Sequence, residues 1–114
     1  MGVNLETGEV VNYSNAPGQY DEPEGVFPDG KHTLVESDKH GLMGYKHDDL
    51  YKLALDGSGS IERMCYFNDG KKYKSTNGVI SDDGRYMAFQ VPETALIAGV
   101  GQGLYIMDLK AAGF

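Results

Sequence analysis

Short runs of alternating apolar and polar residues, separated by glycine-rich turns, fill most of the chain. Two of these runs contain Asp-Gly turns: FPDGKHTLVES at 27–37 and ISDDGRYMAFQ at 80–90. Alternation with a period of two is typical of half-buried strands. Asp-Gly suits a tight hairpin because glycine adopts a positive φ at little cost. Together with the 16 glycines of the chain, this pattern predicts an all-β fold.

The same segments recur at a nearly constant spacing. Gly30 and Gly84 are 54 residues apart, and Leu50 and Leu104 begin the similar runs LYKLAL and LYIMDL at the same step. We interpret the one extra residue of ISDDG, compared with FPDG, as the reason for a step of 53 upstream. Repetition over most of the chain predicts two tandem repeats, at about 3–56 and 57–110. The pairs at the step of 53 are Tyr13 and Tyr66, Asn15 and Asn68, Tyr20 and Tyr73, and Gly25 and Gly78.

Each repeat is predicted to contain four strands. In the first repeat they are EVVNYS, EGVFP, HTLVES and DLYKLAL; in the second they lie at about 61–67, 77–81, 85–91 and 103–109. A four-stranded antiparallel meander that repeats every ~40–50 residues is typical of a β-propeller blade. The pattern leaves one alternative open, a single eight-stranded sandwich or barrel built from a duplicated hairpin pair.

The two Asp-Gly hairpins, followed by DLYKLALDG and GLYIMDL, resemble the repeat of TolB-like β-propellers over about residues 3–110. The resemblance implies four-stranded blades, with strands lettered a to d from the central axis outward and the Asp-Gly turn joining a to b. The two blade repeats then have the permuted order d-a-b-c-d-a-b-c. The family also implies a periplasmic or extracytoplasmic location. The N-terminal MGVNLETGEV is not a recognisable secretory signal, so the sequence itself leaves the compartment open.

This strand order predicts self-association. An outer strand near the start and an uncovered c strand near the end are complementary, and exposed strand edges favour the addition of another strand. Two blades do not close a ring, because propellers have about four to eight. We therefore expect either head-to-tail assembly of several chains or a segment of a longer propeller. Three chains would give the six blades that the resemblance implies, and four chains would give eight.

The charge of the chain limits its partners. A formal net charge of −7 argues against nucleic acid and against an anionic membrane surface. No apolar run approaches the ~20 residues that span a bilayer, so no membrane insertion is expected. A protein, a peptide or a glycan remains compatible with the long polar loops at one end of the predicted blades.

The richest of these loops is ESDKHGLMGYKHDD at 36–49, which combines imidazole and carboxylate groups. Such groups bind divalent metal ions, and His40, His47 and Asp48 are the candidate ligands. Their spacing matches no established metal signature, so the sequence assigns no cofactor. The candidate ligand-binding residues on this loop face are Tyr20, Asp21, Glu22, Glu36, Asp38, His40, Tyr45, His47, Asp48 and Tyr73.

The segment YDEPEG before the first a strand adds the carboxylates of Asp21, Glu22 and Glu24 to this face. Hard carboxylate oxygens suit Ca²⁺, although the alternating spacing of a calcium loop is absent. No serine has a histidine and an acid at a recognisable spacing, so no catalytic residue is assigned.

Two classes of function follow from the sequence. The favoured class is a non-enzymatic binding or scaffold module, because it needs only the strands and loops described above. The alternative is a metal-dependent polysaccharide lyase similar to oligogalacturonate lyase, for which the resemblance implies several histidines around a metal. The segments before the two a strands, 21–24 and 75–77, contain no histidine, and acidic loops would repel an anionic uronide.

Overall fold

The computed structural model describes residues 1–40, 47–70, 72–94 and 103–114. The described strands form three antiparallel sheets, in the orders β1-β2, β3-β4-β5-β6 and β7-β8-β9, and do not close into a barrel or a ring. The predicted all-β class is therefore confirmed. The strands are β1 (Gly2–Val3), β2 (Val10–Val11), β3 (Asp21–Val26), β4 (His32–Ser37), β5 (Asp49–Ala54), β6 (Ile61–Arg63), β7 (Thr76–Ile80), β8 (Tyr86–Gln90) and β9 (Leu104–Asp108).

Both larger sheets are meanders, in which strands that follow one another in the chain are also neighbours in the sheet. Two predicted strands are much shorter than expected. EVVNYS contributes only β2, which pairs with the unpredicted β1. The run at 61–67 contributes only β6, and a 3-10 helix over Phe67–Gly70 follows it.

The two Asp-Gly turns have the same length and the same hydrogen bonds. Gly30 N donates to Phe27 O at 2.9 Å, and Gly84 N donates to Ser81 O at 2.8 Å. Both glycines have a positive φ, 64° and 70°, which a residue with a side chain rarely adopts. The extra residue that separates the two repeats is therefore not in the turn, where the sequence comparison placed it.

The strand register instead repeats at a uniform step of 54 residues. The bulge of β3 lies between Pro23 and Gly25, and the bulge of β7 lies between Thr76 and Val79, at the corresponding place in the register. The single-residue difference consequently lies before β7 begins. Each pair of the first sheet has a counterpart in the second: Glu22–Glu36 corresponds to Thr76–Gln90, Gly25–Leu34 to Val79–Ala88, and Val26–Thr33 to Ile80–Met87.

Successive side chains of a strand point to opposite faces, so each of the two larger sheets has a front and a back face. We define the front face of the first sheet, β3-β4-β5-β6, by Leu34, Glu36, Leu50 and Lys52, and its back face by Val35, Tyr51 and Leu53. The step of 54 defines the faces of the second sheet, β7-β8-β9. Its front face carries Val79, Ala88, Leu104 and Ile106, and its back face carries Phe89, Tyr105 and Met107.

The larger core cluster lies where the front face of the first sheet packs against the back face of the second. It joins Leu34 and Leu50 to Met87 and Phe89. Strand β7 approaches the first sheet closely at Gly78, where a Cβ atom would lie 2.6 Å from Leu34 Cδ2 and 3.0 Å from a Cδ atom of Leu50. Only a residue without a side chain fits at this distance.

A smaller cluster covers the back face of the first sheet. Val35, Tyr51 and Leu53 are buried there, and Tyr13 from the N-terminal segment packs against them together with Ile61. The N-terminal segment thus covers part of the back face of the first sheet. Among the described residues, the second sheet packs against the first through its back face.

A short helix, α1 (Leu109–Ala112), follows β9 and was not predicted. Asp108 caps it by accepting a hydrogen bond from Ala111 N at 3.1 Å, and Gly113 ends it with a φ of 94°. Within the described residues no helix is long and apolar enough to cross a membrane.

We expect Gly78→Ala to lower the free energy of unfolding by about 1–3 kcal/mol, because the added methyl group overlaps Leu34 and Leu50. Gly25→Ala is the matched control, since nothing lies within 4 Å of its Cβ position. The control should change stability by less than about 0.5 kcal/mol. Urea unfolding followed by circular dichroism measures both, and equal losses in the two variants would contradict the close approach.

Candidate functional site

Buried polar residues concentrate where β4 ends and where β5 and β7 begin. Buried polar groups are costly unless they are hydrogen-bonded, so such a concentration implies a specific network. We call this region the polar end. Its buried members are Glu36, Ser37, Asp38, Asp48, Asp49, Asn68, Lys74, Ser75 and Thr76.

Asp49, the first residue of β5, is the most highly coordinated group of the polar end. Its carboxylate accepts hydrogen bonds from Arg63 Nη2 at 2.5 Å and from Ser75 Oγ at 2.8 Å. The backbone N–H groups of Phe67 and Asn68 each donate to it at 3.2 Å. Burial raises the pKa of Asp49, although the hydrogen bonds from Arg63 and Ser75 oppose that effect. This carboxylate therefore connects β5, β6, the 3-10 helix and the residue before β7.

Ser75 joins the two larger sheets through three hydrogen bonds. Its hydroxyl donates to Asp49 and accepts from Leu50 N at 3.1 Å. Its backbone N–H donates to Asp48 O at 3.2 Å. The start of β7 is consequently fixed against the start of β5.

Three glutamates form an acidic cluster beside this network. One carboxylate oxygen from each of Glu22, Glu24 and Glu36 lies within 4.8 Å of the others. Glu36 is buried and accepts hydrogen bonds from Thr76 Oγ1, at 2.5 Å, and from Asn77 N. Burial raises the pKa of Glu24 to about 7, and the negative charges of Glu36 and Glu22 add to the shift. Carboxylate oxygens at this spacing have the chemistry of a site for a hard divalent cation.

Asp48 lies next to the acidic cluster and pairs with Lys74 of the second repeat, with Lys74 Nζ 3.3 Å from Asp48 Oδ2. Burial raises the pKa of Asp48 to about 7, with Glu36 and Asp38 adding to the shift and Lys74 opposing it. The other oxygen of Asp48, Oδ1, is buried and has no hydrogen-bond partner among the described residues. The burial of the Asp48 carboxylate is thus offset by fewer hydrogen bonds than the burial of its neighbour Asp49.

Tyr20 connects the segment before β3 to the acidic residues. Its backbone N–H donates to Asp38 Oδ1 at 3.0 Å, and its hydroxyl donates to Glu22. The hydrogen bond to Glu22 and burial raise the pKa of Tyr20 well above its usual value. Of the residues predicted from the sequence, the structure therefore groups Tyr20, Glu22, Glu36, Asp38 and Asp48.

The two predicted histidines do not join this group. His40 is exposed, its ring stacks on Tyr51 with a centroid distance of 5.6 Å, and its backbone N–H donates to the Tyr51 hydroxyl at 3.2 Å. His47 is half-buried, and its carbonyl accepts a hydrogen bond from the Asn68 side chain. Among the described residues, His40, His47 and Asp48 do not form a cluster with metal-binding spacing.

Of the other three predicted residues, Asp21 and Tyr73 have separate positions. Asp21 pairs with Ser37 in the first sheet and lines a groove on the back face of that sheet. Tyr73 packs against the larger core cluster, and Lys72 Nζ lies 5.0 Å from the centre of its ring. Tyr45 lies outside the described residues.

Asp49, Arg63 and Ser75 were not among the candidate site residues from the sequence, and Glu24 entered only as an added carboxylate of the acidic segment YDEPEG. Asp49 had a local signal, because it is the second residue of an Asp-Asp pair and begins the predicted strand DLYKLAL. Arg63 and Ser75 had none, because each meets Asp49 across more than ten residues of chain.

No protein-family model matches the chain, and no curated protein matches it in sequence. The resemblance to TolB-like propellers therefore stays a prediction.

We expect Asp49→Asn to lower the free energy of unfolding by about 3 kcal/mol or more, because Arg63 loses its buried counter-charge. The matched control is Asp69→Asn, which removes the other carboxylate bound to Arg63, an exposed one at 2.8 Å. An exposed ion pair contributes about 1 kcal/mol or less. Chemical unfolding of the two variants tests the difference, and a loss from Asp69→Asn as large as that from Asp49→Asn would refute it.

The raised pKa of Glu24 predicts a pH-dependent effect of Glu24→Gln. Because the folded state favours the protonated form, the stabilisation from Glu24 is present at about pH 4.5 and is lost as the pH rises through about 7. The variant should therefore gain stability relative to the wild type between pH 4.5 and pH 8. Urea unfolding at both pH values measures this, with Glu62→Gln, an exposed glutamate of β6, as the control. A difference independent of pH would argue against the close approach of the three glutamates.

Proposed function

We propose that this protein is a non-enzymatic scaffold module made of two tandem β-propeller-type blades. Further blades pack against its open sheet face, supplied by other copies of the chain or by a longer propeller. The polar end, with its acidic cluster, provides the surface on which a protein, peptide or glycan binds.

The apolar front face of the second sheet carries this proposal. Leu50, on the front face of the first sheet, has an exposed fraction of 0%, because the second sheet covers it. Its counterpart Leu104 is 72% exposed, and its neighbour Ile106 is 71% exposed. Val79 and Tyr86 extend the same apolar face. Contiguous exposed apolar surface on a folded domain is typical of an interaction site.

The edge of the second sheet supports the same proposal. Strand β9 pairs with β8, and no other described strand is bonded to it. In the first sheet the corresponding strand, β5, is bonded on its outer side to β6. An unpaired edge offers N–H and C=O groups to a further strand, and the predicted outer strand at the start of the chain would suit this position.

The composition of the polar end favours binding over the lyase alternative. That alternative needs imidazole ligands around a metal, whereas among the described residues the cluster with metal-binding spacing consists of three glutamates. The buried Asp49 and Glu36 are engaged by donors from within the chain, which gives them a structural role. The exposed Glu22 is then available to a cationic group on a ligand.

We expect the purified protein to associate as its concentration rises, because the front face of the second sheet is apolar and open. Ile106→Lys should weaken this association, since docking would bury an unpaired charge. Leu5→Lys is the matched control, because Leu5 is 92% exposed and lies outside both larger sheets. Multi-angle light scattering over a concentration series measures the mass. A wild type that stays at 12.4 kDa throughout would argue against stacking between copies of this chain.

A further inference from the structure

The contact between the two larger sheets joins unlike faces. The front face of the first sheet, with Leu34 and Leu50, packs against the back face of the second, with Met87 and Phe89. This contact uses one face of each sheet. The back face of the first sheet and the front face of the second therefore remain for a contact with another molecule.

Each of these remaining faces is apolar. The front face of the second sheet exposes Leu104 and Ile106. On the back face of the first sheet, the N-terminal segment covers only part of the surface and leaves a groove lined by Val26, Val35 and Leu53. Val26 is itself an exposed apolar residue in β3.

The turns provide a second point of comparison. Within the chain, the turn of the second repeat packs against the turn of the first, so that a Cβ atom on Gly84 would lie 3.4 Å from the ring of Pro28. Gly30 is the counterpart of Gly84, and nothing lies within 4 Å of its Cβ position. Gly84 thus has a neighbouring turn beside it, whereas the equivalent space beside Gly30 is open.

We infer that a second copy of this chain docks the front face of its second sheet onto the back face of the first sheet, repeating the contact between the sheets within the chain. This inference rests on the proposed function and names its partner. In this arrangement Asp82 of one copy, the counterpart of Pro28, lies beside Gly30 of the next. Because the two joined faces differ, the contact is heterologous and continues from copy to copy until it closes.

Two variants, each with one face blocked, test the arrangement. Ile106→Lys blocks the front face of the second sheet, and Val26→Lys blocks the back face of the first; both replace exposed residues, so the fold should be kept. Each variant alone should be a monomer, with a dissociation constant raised about tenfold or more by the buried charge. An equimolar mixture should form a heterodimer with one copy of each variant, because each supplies the face that the other lacks. Native mass spectrometry distinguishes these species, and circular dichroism verifies folding.

Three outcomes are decisive. A heterodimer in the mixture, with monomers in the separate samples, supports head-to-tail docking. Association of Val26→Lys alone, together with no heterodimer in the mixture, would show that two front faces meet; the stacking function would survive, but this inference would not. A wild-type protein that remains monomeric beside both variants would overturn this inference, and the proposed function would then depend on blades supplied by a longer propeller.

Discussion

The close approach of β7 to the first sheet is the contact on which the arrangement of this protein depends. Without a side chain at Gly78, the strand settles against Leu34 and Leu50 and completes the larger core cluster. Dispersion attraction falls steeply with distance, so even a small gap here would forfeit much of the packing between the sheets. The same approach brings Ser75 and Thr76, just before Gly78 in the chain, within hydrogen-bonding distance of Asp49 and Glu36. Core packing and the polar end are consequently coupled.

The polar end shows how burial separates the roles of neighbouring acids. Asp49 receives a guanidinium, a hydroxyl and two backbone N–H groups, and it joins several elements. Asp48 has Lys74 as its ion-pair partner, and one of its buried oxygens finds no partner within the described part of the chain. Burial raises the pKa of Glu24 to about 7, and the negative charges of Glu36 and Glu22 add to the shift. The role of each carboxylate in this region therefore depends on the hydrogen-bond donors that surround it.

Much of the strand pattern could be predicted because its causes are local. HTLVES was predicted at 32–37, which are the bounds of β4, and both Asp-Gly turns form as expected because glycine alone decides them. The prediction was poorer where partners are distant. The run at 61–67 has strand-like alternation, but Phe67 and Asn68 donate their backbone N–H groups to Asp49, and the chain turns into a 3-10 helix. Helix α1 did have a local signal, the cap formed by Asp108 and Gly113.

The candidate site divides in the same way. The sequence by itself determined that two similar β-meanders follow each other and that acidic residues concentrate at 21–24 and at 36–49, because alternation, turns and composition are local properties. Only the tertiary structure decided which carboxylates meet. Glu36 is joined by Thr76 from 40 residues away, whereas the ring of His40 stacks on Tyr51. It also decided that Leu50 is buried while its counterpart Leu104 is exposed. Equivalent residues of the two sheets differ in exposure because burial depends on the sheet that packs against them. The local sequence pattern does not specify which sheet that is.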